Sequence, residues 1–108
     1  RQLDRIEAVV AKYQKPFFFA EAGCMSVTGS KHVPNDWTVR GTADLAGQAK
    51  WYQEMFRACS QREWVRGFAL WSWTDRLYDA QDAAKQCDYE LYAKPAEKIV
   101  QENYVAKS

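Results

Sequence analysis

Two short apolar runs, "PFFFA" at 16–20 and "VRGFALWSW" at 65–73, each lie between amphipathic helical stretches, and this order constrains the fold most. Leu3, Ile6, Val9, Val10 and Tyr13 recur at helical spacing, which predicts a first helix over Leu3–Tyr13. Lys15-Pro16 ends it, because proline disfavours the helical conformation of the residue before it. Leu45, Ala49, Tyr52, Phe56 and Cys59 form one stripe of a second helix, with Thr42 read as its N-cap and Asp44 in its first turn. A last helix opens at Pro95 and aligns Ala96, Ile99, Val100 and Tyr104. The runs between these helices lack a polar face, so they predict strands over Pro16–Ala20 and Val65–Trp73 that are covered on both sides. Helix, strand, helix, strand, helix implies parallel strands joined by right-handed crossovers.

The connections are unequal. Helix-to-strand links are short, whereas the links after the strands, 22–41 and 74–94, each run to about 20 residues, beyond the roughly 12–15 usual in compact domains. Both long links leave the carboxyl ends of parallel strands, where α/β folds gather their functional groups. Glu21 stands at the base of the first, directly after four apolar residues, and Trp71 and Trp73 lead into the second. On the residues alone, Glu21 is either a strand-end salt-bridge partner or a carboxylate held for chemistry.

The bulk properties narrow the class. With 108 residues the chain holds one domain, 1–108, and a net charge of +1 offers no attraction for nucleic acid or an acidic membrane surface. No stretch reaches the roughly 18 apolar residues of a spanning helix. The start, Arg1-Gln2-Leu3-Asp4, is neither a signal peptide nor an initiator methionine, so a piece of a longer chain is expected. Cys24, Cys59 and Cys87 have no zinc or disulfide spacing and read as buried thiols. Asp75, Asp79 and Asp82 fit no calcium-loop pattern, and His32 lies in a polar loop, so no metal site is expected. Nothing in the sequence sets the compartment.

Taken in order, "KPFFFAEAG", Trp37, "DLAGQAKWYQEMF", "VRGFALWSW" and "DYELYAKPAEKIV" resemble the end of a clan A glycoside hydrolase barrel, most like glycoside hydrolase family 113 and its β-mannanase-like relatives. The resemblance spans about Pro16 to Tyr104 and implies the last two βα units, with one preceding helix, of a TIM (β/α)₈ barrel. An intact barrel takes about 250 residues, so the rest of the barrel, upstream of Arg1, is an expected partner.

The resemblance implies a retaining glycosidase acting on β-linked glycans, mannan among them, with Glu21 as catalytic nucleophile. Its acid/base glutamate would come from a strand outside this chain. Trp71 matches the aromatic floor of the reacting subsite best and Trp73 second, and Trp37 and Tyr78 lie in the right regions to bind sugar. Carbohydrate is the implied substrate, and the chemistry uses no cofactor or metal. Two rivals stand beside it: a non-catalytic, barrel-like carbohydrate-binding or scaffold protein, and a small α/β interaction domain that folds alone.

Overall fold

The structure, a computed structural model, describes residues 2–73 and 78–105. Its elements run α1 (Gln2–Tyr13), β1 (Phe17–Ala22), a 3₁₀ turn (Ser30–His32), α2 (Leu45–Ser60), β2 (Val65–Leu70), α3 (Ala80–Lys85) and α4 (Pro95–Val105). β1 and β2 pair in parallel, with Phe17 opposite Val65, Phe19 opposite Phe68 and Ala22 opposite Leu70.

The core lies between α2 and α4. Tyr52, Phe56, Leu91 and Ala96 are buried together, and Phe68 and Leu70 of β2 pack against them. Stacked rings join this core to the sheet: Phe56 meets Phe68 edge-on at 5.5 Å, and Phe68 lies parallel to Phe19 at 5.5 Å. Phe19 in turn meets Phe17 edge-on at 4.8 Å. Each such pair adds about 0.5–1.5 kcal/mol beyond its area burial.

The opposite face of β1 is open: Phe18 is 57% exposed. The expectation that both faces would be covered therefore does not hold for the described residues. Along β1, exposure alternates from Phe17 to Ala20 and then breaks, because Ala20 and Glu21 are both exposed. The break coincides with a register shift between Phe19 and Ala22, where β1 uses three steps against two on β2. One extra residue re-aims the side chains at this strand end, as bulges beside functional sites do. Strict alternation would have put Glu21 with Phe17 and Phe19 on the half-buried face.

Other boundaries moved for identifiable reasons. Asp44, not Thr42, caps α2: its carboxylate accepts the Gly47 N–H at 2.9 Å. Thr42 instead joins the preceding loop, its carbonyl accepting the Thr28 N–H at 3.0 Å. β2 ends at Leu70 rather than Trp73, since the Ser72 N–H turns to the Tyr89 carbonyl at 3.4 Å. The second long connection contains α3, capped by Asp79, whose carboxylate accepts the Asp82 N–H at 2.9 Å. Pro95 opens α4 as expected. α1 forms as predicted but buries no residue, and Val9 and Tyr13 of its stripe are exposed. Polar contacts hold it: Arg62 pairs with Asp4 at 2.9 Å, and the Trp64 indole N–H donates to Glu7 at 2.8 Å.

Candidate active site

Glu21 and Trp71 stand at neighbouring strand ends. The Trp71 N–H donates to the Ala22 carbonyl at 2.7 Å, which locks the start of the second loop to the end of β1. The next residue, Gly23, passes so close that a Cβ there would lie 2.1 Å from the Trp71 carbonyl oxygen. From α2 below, the Tyr52 hydroxyl donates to the same oxygen at 3.3 Å. The Trp71 backbone is thus held on three sides while its side chain stays 54% exposed. The Trp71–Ser72 peptide is cis.

A cavity of about 720 Å³ opens here, lined by Glu21, Gly23, Trp71, Trp37 and Tyr89, and it continues past Phe19 toward α1 and α2. Among the described residues, no cation or hydrogen-bond donor pairs with Glu21. Trp37 enters from the first loop and is 69% exposed. Asp36 beside it accepts from the backbone and hydroxyl of Thr38, which holds its carboxyl below the usual carboxylate range. The Tyr89 hydroxyl donates to the Pro34 carbonyl at 2.8 Å and ties that loop across the cavity.

Of the five residues singled out in the sequence, Glu21, Trp71 and Trp37 line this cavity. Trp73 and Tyr78 do not; both meet Tyr92 edge-on, at 6.3 and 5.5 Å. A strand running to Trp73, as the sequence predicts, would put Trp71 and Trp73 on one face, but both lie beyond the end of β2, where two-residue alternation no longer applies. Burial, with Glu90 nearby, pushes the Tyr78 hydroxyl upward. Among the described residues no group of three or more His, Cys, Asp or Glu is placed to hold a metal. His32 is exposed, Asp79 and Asp82 belong to α3, and Asp75 lies outside the described residues. None of the three cysteines forms a disulfide; Cys24 and Cys59 are buried as expected, Cys87 is only half-buried, and burial raises the Cys24 thiol.

Residues that sequence reasoning passed over bind the two long loops together. Buried Ser26 donates from its hydroxyl to the Gln86 carbonyl at 2.6 Å, and its N–H donates to the Asp88 carbonyl at 3.0 Å. Gln48 of α2 donates to the Cys24 carbonyl at 2.9 Å and to the Glu90 carbonyl at 3.3 Å. Lys94, which directly precedes the predicted helix start at Pro95, is buried, and its amine donates to Ser26 Oγ at 2.9 Å and the Asp88 carbonyl at 3.2 Å.

Burial pulls the Lys94 ammonium down from the ordinary lysine value of 10.5 to about 8, against the opposing pull of Glu90 and Asp88. The folded value lies below the unfolded one, so between them the unfolded chain holds more protons and stability rises with pH. Lys94 therefore costs stability near neutrality, and that cost fades as pH climbs through this window. The melting temperature of the parent should gain on that of Lys94→Met between about pH 7 and about pH 10. A flat gap would mean the amine is well solvated, and a gap that moves the other way that its partners hold it in the charged form.

The fold and the site together define an α/β protein that gathers a carboxylate and aromatic side chains at the carboxyl ends of parallel strands. The chain matches Glycoside Hydrolase Family 113 over residues 1–94 and belongs to that family. Two solved structures of a GH113 β-1,4-mannanase, one of them a complex, are similar to it at 52% and 51% identity, each with TM-score 0.93. The GH113 β-mannanase AaManA from Alicyclobacillus acidocaldarius, in complex with ManMIm, is similar at 35% identity and TM-score 0.89. The chain is covered to 97–98% in these matches but spans only 34% of each of those chains. Comparison with curated proteins gives no match.

Proposed function

We propose that residues 1–108 form the carboxyl-terminal part of a (β/α)₈ barrel, its last two βα units with one preceding helix, in a retaining enzyme that hydrolyses β-1,4-mannan. Glu21 is the nucleophile and Trp71 the floor of the reacting subsite. The observation that carries this reading is the placement of Glu21. A bulge turns it out beside Trp71 into a shared cavity, and no cation among the described residues claims it. A structural salt bridge would require a partner.

In this mechanism a Glu21 oxygen attacks the anomeric carbon as the bond to the leaving oxygen breaks. An acid from elsewhere in the barrel, roughly 5–5.5 Å from Glu21, protonates that oxygen. Water then attacks the glycosyl ester, the same group takes its proton, and Glu21 is released as carboxylate. Trp71 covers the apolar C–H face of the sugar throughout, and Trp37 extends the aromatic wall.

The complete enzyme should release reducing ends from β-1,4-mannan, and proton NMR should show the β anomer as the first product. An α first product would rule out retention, and absence of hydrolysis would rule out the function. Trp71→Ala in the complete enzyme should lower kcat/KM at least about tenfold, a loss of ~1.4 kcal/mol in transition-state stabilisation, with the fold preserved. Trp64→Ala should act on stability instead, because Trp64 packs edge-on against Phe17 at 5.7 Å and bonds Glu7. A Trp71→Ala enzyme with a lowered melting point and unchanged kinetics would place Trp71 in the packing alone.

A further inference from the structure

Tyr89 is joined to both aromatic walls of the site. Its carbonyl accepts the Ser72 N–H and Gln48 Nε2, each at 3.4 Å, which fixes its backbone beside the residue that follows Trp71. Its side chain lines the cavity of Glu21, and its hydroxyl donates at 2.8 Å to the carbonyl of Pro34, in the loop that carries Trp37. Resting on the mannanase reading above, we propose that Tyr89 is a positioning residue for substrate binding: its hydroxyl fixes the Trp37 loop against the wall that carries Trp71.

The loop has little else to hold it. Pro34 has no N–H, so its carbonyl is the polar handle its backbone offers. Among the described residues, the hydrogen bonds of 35–40 otherwise stay local. The Asp36 N–H donates to the Val33 carbonyl and the Thr38 N–H to the Asp36 carboxylate, both at 2.9 Å. Arg40 Nη1 donates to the carbonyls of Trp37 at 3.4 Å and Val39 at 3.2 Å. Thr28 and Thr42 close the loop at its base, away from its tip. Trp37 itself is mostly exposed, so packing does not fix it. An indole held in place before the glycan arrives spares binding the cost of ordering it then. Burial, then the nearby Cys24, Asp88 and Asp36, raise the Tyr89 hydroxyl above the ordinary tyrosine value, so it stays a donor well into the alkaline range.

Tyr89→Phe in the complete enzyme keeps the ring and removes the hydroxyl alone. On soluble β-1,4-mannan it should raise KM at least about fivefold and leave kcat within about twofold, because Trp37 extends the wall beyond the reacting sugar. In a Trp37→Ala background the same change should add less than about 1.5-fold, since the tie then positions nothing. Amide hydrogen exchange over 33–38 should quicken in Tyr89→Phe, a readout that does not depend on turnover. A hydroxyl that only stabilised the fold, or that bound sugar directly, would cost the same factor in both backgrounds. That result, an unchanged KM, or unchanged exchange would each overturn the positioning role and leave the mannanase reading intact. A parent enzyme inactive on mannan would overturn that reading and the positioning role with it.

Discussion

On the proposed nucleophile role, Glu21→Gln should remove turnover of the complete enzyme by several orders of magnitude while leaving the fold in place. The amide keeps the size of the carboxylate and most of its hydrogen-bonding capacity, but it cannot form the glycosyl ester on which covalent catalysis depends. Stability should hold or rise, because no cation among the described residues loses a partner and a carboxylate held for chemistry is ordinarily a local liability. A salt-bridge role predicts the reverse, modest loss of rate with clear loss of stability. Azide added to a Glu21→Ala enzyme should restore turnover of an activated aryl mannoside and yield the glycosyl azide of inverted configuration. Residual turnover of Glu21→Gln above about a tenth, under ~1.4 kcal/mol in the barrier, would remove Glu21 from the nucleophile role.

The second large effect is expected at Gly23. An alanine Cβ there would stand 2.1 Å from the Trp71 carbonyl oxygen and 3.1 Å from its carbon, and both are backbone atoms with no rotamer to give way. The strand ends must part, which strains the 2.7 Å bond from the Trp71 N–H to the Ala22 carbonyl and the hold of Tyr52 on the same residue. Overpacking of this kind costs about 1–3 kcal/mol of stability. It also shifts Trp71 relative to Glu21, and misplacement by about an ångström can cost on the order of a hundredfold in rate. Gly23→Ala should therefore lose both melting temperature and activity. Gly41→Ala, with its nearest contacts at 3.5 Å, should change stability by no more than about 0.5 kcal/mol. Near-parental activity in Gly23→Ala would mean that the Trp71 carbonyl moves freely.

The order of helices and strands was legible because each long element repeats its own period: the stripe from Leu45 to Cys59 can only be a helix, and "FFFA" has no polar face to turn outward. Glu21 and Trp71 could be singled out because they lie near the carboxyl ends of the two predicted strands, and Trp37 because it lies in the long link after the first, although both strand ends fell two or three residues from where they were expected. The bulge could not be read, because it depends on how β1 meets β2 and leaves no mark in "FFFAEA". Lys94 was hidden by its chemistry: lysine is almost never fully buried, and its partner Ser26 is distant in the chain. α3 is six residues long, too short for periodicity to register. Trp71 and Trp73 went separate ways because extrapolating strand geometry past Leu70 extended a rule beyond the strand that obeys it.

The stitching by Ser26, Gln48 and Lys94 bears on how these loops could be re-engineered. Carbonyls of Cys24, Gln86, Asp88 and Glu90 all accept from Ser26 or Gln48, side chains of another segment, so the two loops share much of their scaffold. Grafting the first loop from a relative, without its counterpart before α4, would leave a buried amine or amide facing mismatched acceptors. The transplantable cassette is the pair of loops together with Gln48 and Lys94, and a change in specificity sought in one loop has to be selected in both at once.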